Sequence, residues 1–292
     1  MLAQGAPPKA DPVYSWPGRY GLQLAATGNQ SLFLSARDGS FLVSSRADTI
    51  QCFPNASAEI FHASEGLCQV LMRRVLPRVA QLHGRTCLHG ASVMVNAQEA
   101  ILLLGPSRAG KSTLSAALTR ELGWHVLSDD ISIIDSTVIP ALCYPVVSGA
   151  CLWPDSLASF ATTAVRSHSL PAHDEKRWCE FAGEALASPA TVQAMLFIDS
   201  GDDCDKEIQL CQLTLTTAMM SAMRQLVRFN PADVSVIKSY MDSLGSLLRN
   251  IPAYSLSYRR TYEALPEVAE YLRPYFNPTS EPLRKNLQRE EQ

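Results

Sequence analysis

Most of the features that settle a protein's class are missing from this chain. No stretch of its 292 residues approaches the ~20 consecutive apolar residues that a membrane-spanning helix needs. The opening Met1-Leu-Ala-Gln-Gly-Ala-Pro-Pro-Lys-Ala-Asp-Pro12 has neither a basic start nor an apolar run. It therefore reads as a short disordered leader rather than an export signal, and a cytoplasmic location is the default expectation. Charge of either sign is scarce in the balance: 25 Lys and Arg against 28 Asp and Glu leave −3. That value offers no electrostatic case for nucleic acid or an anionic membrane as a partner. The eight cysteines, Cys52, Cys68, Cys87, Cys143, Cys151, Cys179, Cys204 and Cys211, form no C-x-x-C pair and no Cys/His cluster of zinc spacing. Reduced, mostly packed thiols are expected. There is no G-x-S-x-G elbow, no H-E-x-x-H and no internal repeat. What is left is a globular composition, 47% hydrophobic and 18% charged, with ample length for a core.

Against that background one stretch stands out, Ile101-Leu-Leu-Leu-Gly105-Pro-Ser-Arg-Ala-Gly110-Lys111-Ser112-Thr113-Leu. An apolar strand runs into G-x-x-x-x-G-K-[ST], and an Ala/Leu-rich helical pattern leaves it, which is the setting of a phosphate-binding loop. Gly105 and Gly110 allow a tight backbone whose N–H groups converge on an anion, and the helix N-terminus adds its positive end. In this pattern Gly105, Pro106, Ser107, Arg108, Ala109, Gly110, Lys111, Ser112 and Thr113 form the nucleotide cradle. Lys111 reaches the terminal phosphates and the Ser112 hydroxyl holds Mg²⁺.

The rest of the chain reads as an α/β protein with a small β layer at its start. Alternating runs at Gly21–Leu24, Ser31–Leu34 and Phe41–Val43 predict short antiparallel strands, with turns near Ala26–Asn29 and Arg37–Gly39. Apolar spacing over 64–83 predicts helix, interrupted at Pro77, with Arg73, Arg74 and Arg78 on a solvated face. Thr86 to Leu104 predicts two strands with a turn near Asn96-Ala97. Gly123 ends the helix that follows the loop, and Trp124 to Asp135 contains two strands around Asp129-Asp130. Trp153 to Phe160 reads as a short helix with Pro154 in its first turn. Residues 162–187 read as polar and irregular, a loop long enough to be functional. Val192–Ile198, Glu207–Cys211 and Pro252–Tyr258 read as strands; 216–227, 232–249 and 263–272 read as helices. The domain expectation is a leader over 1–13, a β-rich region plus helix over 14–83, a phosphate-loop domain over 84–275 and a flexible tail over 276–292.

Three further groups are candidates for chemistry. Asp129 and Asp130 close a strand one element after the loop, where one carboxylate can serve the metal and the other take a proton. His89 stands at the head of the strand pair feeding the loop, within reach of a terminal phosphate through a hairpin. Lys176 and Arg177 are loop cations that could meet charge developing on a transferred phosphoryl group.

Leu88-His89-Gly90-Ala-Ser-Val, the loop, and Leu127-Ser-Asp129-Asp130 come in the order and near-spacing of the HPr kinase/phosphorylase C-terminal domain, which they resemble. Ile251-Pro-Ala-Tyr-Ser-Leu-Ser-Tyr-Arg259 and Leu76-Pro-Arg78 with Gly84-Arg85 are similar to a divergent branch found beside peptide-modifying gene sets, including kinases that tailor lasso-peptide precursors. The resemblance implies a phosphoenolpyruvate-carboxykinase-like mixed sheet with flanking helices and ATP with Mg²⁺ as cofactors. By the same resemblance Ser112 and the Asp129-Asp130 pair lie at the metal, His89 touches the transferring phosphate, and an Asp is the base for a substrate serine. A homo-oligomer is expected by the same analogy. Two departures narrow this. Thr113 stands where the family has Glu, and the later stretch that supplies a second metal carboxylate is missing. Phosphorolysis, and HPr as substrate, are therefore not implied. A peptide or protein serine kinase is the leading reading. An HPr-type kinase, a small-molecule kinase and a non-catalytic nucleotide sensor are its rivals.

Overall fold

The computed structural model describes residues 3, 5–17, 21–35, 39–55, 66–146, 149–160, 164–170, 173–181, 188–199 and 207–276. Period-2 patterning at the start folds into an antiparallel meander of β1 (Pro12–Ser15), β2 (Leu22–Thr27), β3 (Gln30–Ser35), β4 (Gly39–Val43) and β5 (Ile50–Pro54). One face buries Leu22, Leu24, Phe33, Phe41 and Val43 against Leu67, Val70, Val75 and Val79 of the following helical segment. The other face, around Leu32 and Phe53, is partly covered by Ala3 and Ala10, and the Ala3 N–H donates to the Cys52 carbonyl (2.9 Å). The stretch ahead of β1 therefore packs where sequence alone predicts disorder, because the sheet's second apolar face needs cover. Part of the turn expected at Arg37–Gly39 lies outside the described residues.

Helix over 66–70 passes through a π-helical turn, Leu71–Val75, into α1 (Leu76–Leu82). Pro77 stands just past the π turn; it has no N–H to continue the ladder, and the interruption takes the form of that turn while the helix runs on to Leu82.

The chain then builds the main sheet. β6 (Thr86–Met94) and β7 (Glu99–Leu104) form the expected hairpin, with Asn96 Oδ1 accepting the Gln98 and Glu99 N–H groups at 2.9 Å each. After the loop come α2 (Lys111–Leu122), β8 (His125–Ser128), β9 (Ile131–Asp135), β10 (Leu142–Tyr144), β11 (Ala150–Leu152) and α3 (Pro154–Phe160). β12 (Ala164–Leu170), β13 (His173–Phe181), β14 (Ala190–Ile198), β15 (Gln209–Gln212), α4 (Leu215–Gln225), α5 (Ile237–Asn250), β16 (Ala253–Ser257) and α6 (Leu265–Phe276) complete it. The sheet runs β10-β9-β6-β7-β14-β16-β15, with β8 also on β6. β14 is parallel to β7 and β16, while the other pairings are antiparallel, so the sheet is mixed. α2 and α6 bury Leu114, Leu118, Val268 and Leu272 on one face. α4 and α5 bury Ala218, Ala222, Leu244 and Leu247 on the other. The architecture is mixed α/β, and no helix among the described residues is long and apolar enough to cross a membrane.

Two further expectations change. The irregular stretch of 162–187 contains β12 and β13, which form a three-stranded sheet with β11. Trp178 and Cys179 are buried there among polar neighbours, too few to show a period. The helix expected from Ala232 begins at Ile237, because Asn230 Oδ1 accepts Ala232 N–H and Asp233 Oδ1 accepts Ser235 N–H, holding the chain in local turns.

Candidate phosphate-binding site

The loop begins where β7 runs out. Gly105 has φ 147, and a Cβ there would lie 3.0 Å from the Ile198 carbonyl of the neighbouring parallel strand, so glycine is required. Arg108 (φ 68) and Gly110 (φ 90) also take left-handed conformations before the chain enters α2. Lys111, the first residue of α2, is only 7% exposed. Its Nζ donates to the carbonyls of Gly105 (2.8 Å) and Pro106 (2.9 Å) and lies 3.4 Å from His89 Nε2. Burial lowers the lysine's pKa, with Asp129 and Asp130 opposing that shift.

β6 carries His89 to the loop's edge. Its Nδ1 is 2.9 Å from the Asp130 carbonyl oxygen, which can only accept, so Nδ1 holds the proton and the Nε2 lone pair faces Lys111. Burial pushes the imidazole pKa down, against the pull of Asp130.

The two aspartates separate. Asp129 is buried; both of its carboxylate oxygens accept from Ser112 Oγ (2.9 and 3.1 Å), and the Cys151 N–H donates to Oδ2 (2.8 Å). Asp130 has φ 75, a left-handed conformation held against its side chain. Its carboxylate lies 3.4 Å from His89 Nδ1, 3.6 Å from an Arg73 nitrogen and 3.8 Å from an Arg74 nitrogen. Burial pushes its pKa up, but Arg74, His89, Arg73 and Lys176 together outweigh this and hold it well below the ordinary carboxylate range.

The arginine pair corrects the expectation of a solvated face. Arg73 is 5% exposed, stacks on Trp178 (4.9 Å to the ring centroid), and donates from Nε to Gln69 Oε1 (2.8 Å). Arg78 is also buried, stacked on Trp16 (4.3 Å), and burial with the nearby Arg74 lowers its pKa to about 10. The contact between Arg73-Arg74 and Asp130 is long-range; the signal that could have shown it is an arginine pair inside an apolar helical stripe. Asp199 follows β14 directly and lines a cavity along Gly105 and Pro106. Its signal was an apolar strand, Met195–Ile198, running into a carboxylate.

Lys176 and Arg177 point apart, as neighbours on a strand do. Lys176 lies over Trp153 (5.1 Å) and lines the site, as does Arg108, 6.0 Å from the same ring. Arg177 instead bonds Ser167 and Ser169 of β12. Thr113 lies behind Ser112, its hydroxyl 3.2 Å from that of Ser156. A cavity of about 490 Å³ joins His89, Lys111, Ser112, Asp129, Asp130 and Lys176. A second, of about 600 Å³, lies along Gly105, Pro106, Phe197 and α4.

No protein-family model and no curated protein matches the chain. Among solved structures, it aligns with an Hpr(Ser) kinase/phosphatase from Coxiella burnetii over 65% of this chain and 97% of that one, at 11% identity and a TM-score of 0.29. Likeness at that level establishes no activity for this chain.

Proposed function

We propose that this protein is an ATP- and Mg²⁺-dependent kinase that phosphorylates a serine hydroxyl of a peptide or protein, most concretely the C-terminal residue of a lasso-peptide precursor. The observation that carries the reading is the Ser112 hydroxyl bonded to both oxygens of Asp129, beside a glycine loop whose buried lysine is held by two of the loop's own carbonyls. A hydroxyl and a carboxylate are the hard oxygen donors that Mg²⁺ prefers, with phosphate and water completing its shell. Ser112 and Asp129 would hold the ion, which when bound neutralises triphosphate charge. Lys111 would exchange its loop carbonyls for phosphate oxygens. Asp130, ionised and fixed beside His89, is the group to take the proton as the acceptor oxygen receives the γ-phosphoryl group and ADP departs. Arg73 and Arg74 hold that carboxylate in place, so the helical segment of the first 83 residues belongs to the site.

The test mixes the protein with Mg²⁺, ATP and, separately, a lasso-type precursor ending in serine or HPr, and reads each by mass spectrometry. A phosphate on the precursor, abolished in Lys111→Ala, is the expected result. Transfer to HPr would restore the HPr-type reading. Nucleotide binding without transfer to either would favour a small-molecule acceptor or a sensor.

A further inference from the structure

We infer that the cavity of about 600 Å³ along Gly105 and α4 is the acceptor site, and that Arg224 binds a carboxylate of the acceptor within one or two residues of its reacting hydroxyl. This rests on the kinase reading above. The two cavities flank the loop and share only His89 and Ser107 among their lining residues. The first holds Ser112 with Asp129 and four cations, Arg108, Lys111, Lys176 and Arg260, which suits a triphosphate. The second has none of these. It combines apolar Phe197, Ile198 and Leu213 with the hydroxyls of Thr217, Ser221 and Ser255, which suits a peptide. A donor in one cavity and an acceptor in the other meet at His89.

α4 sets the geometry. Thr217, Ser221 and Arg224 recur at helical spacing and form one stripe along the cavity wall. Just past the helix, Leu226 bridges to Leu88, the residue before His89, which pins this end of α4 beside the imidazole. Arg224 stands two residues earlier, in the last turn of α4, and lines the same cavity as His89. A cavity of about 600 Å³ has room for only a few residues, so a carboxylate held at Arg224 lies close in sequence to a hydroxyl at His89. Besides His89, the charged lining residues are Asp199 at the loop and Arg224. Among the described residues the Arg224 guanidinium has no hydrogen-bond or ion-pair partner, and its planar five-donor fork suits a carboxylate.

The experiment uses the full chain with Mg²⁺ and ATP and four peptides that differ only at their ends: serine with a free carboxylate, serine amide, Ser-Asp amide and Ser-Lys amide. We expect at least one carboxylate peptide to be used with a KM about tenfold or more below the amide and lysine forms. Which of the two is preferred distinguishes an α-carboxylate from a side-chain carboxylate. Arg224→Ala should erase the preference at unchanged nucleotide affinity and thermal midpoint, and Arg224→Lys should restore part of it. Equal use of all four peptides, or a preference that survives in Arg224→Ala, overturns the acceptor assignment and leaves the kinase reading standing. Nucleotide binding with no transfer to any of the four also overturns it. Failure of the wild-type protein to bind nucleotide more tightly than Lys111→Ala removes the kinase reading itself, and this inference with it.

Discussion

Single residues carry the strain and the charge of this site. Gly105→Ala would drive a methyl group toward the Ile198 carbonyl at a φ that side chains avoid. It should cost about 1–3 kcal/mol in stability and abolish nucleotide binding, read by thermal melt and nucleotide titration. Asp135 offers a pH test outside the site. Its Oδ1 accepts from the Thr137 N–H (3.0 Å) and hydroxyl (2.6 Å), and Oδ2 pairs with Arg85. Burial raises its pKa, but these partners outweigh that and leave it below its ordinary value. A depressed folded-state pKa contributes stability that is present above the unfolded value of about 3.9 and lost as pH falls through the folded one. The stability gap between wild type and Asp135→Asn, from urea unfolding, should therefore be full at pH 7 and shrink below about pH 4.

At the scale of elements, the site depends on what holds α2 against the sheet. Its inward face includes Leu114 and Leu118, both fully buried with Val268 and Leu272 of α6. Leu118→Ala, two turns from the loop's lysine, should lower stability by about 2–5 kcal/mol through the cavity it leaves. Because the change lies away from the phosphate cradle, nucleotide affinity of the folded fraction should be kept, and a melt paired with a binding titration separates the two effects. The strands were legible where short apolar runs stood between turn residues, as in β2 to β4, or where an apolar run led into the glycine loop, as in β7. β12 and β13 were not, because their pairing with β11 is settled by distant partners rather than by local pattern. The start of α5 was misread because Asn230 and Asp233 satisfy backbone N–H groups locally and so delay the helix.

For the molecule as a whole, the meander region and the main sheet are joined by contacts that also complete the site. Phe33 meets Phe229 (5.7 Å between rings) and His83 Nε2 bonds the Ala47 carbonyl (2.9 Å), while Arg73 and Arg74 reach Asp130. Arg73→Gln and Arg74→Gln should each cut phosphoryl transfer about tenfold or more while nucleotide affinity stays near wild type, checked by steady-state kinetics beside nucleotide titration. Thiol chemistry gives a global check. Of the seven described cysteines, all free, only Cys68 and Cys211 are exposed. Burial pushes the thiols of Cys143 and Cys151 up to about 12 and that of Cys87 higher still. In the native protein a thiol reagent should label Cys68 and Cys211 among these seven and reach the other five only on unfolding, as peptide mapping would record.

Local chemistry in the sequence determined the glycine loop, the strand entering it, the helix leaving it and the acidic pair that follows, because each is specified by residue types within a few positions of one another. Tertiary structure alone decided the division between Asp129, bonded to Ser112, and Asp130, ringed by His89 and two arginines more than fifty residues upstream. It also turned Lys176 into the site and Arg177 away from it. Those choices rest on which side chains burial brings together. Charges buried side by side fix one another's ionisation and orientation only after the chain has closed around them.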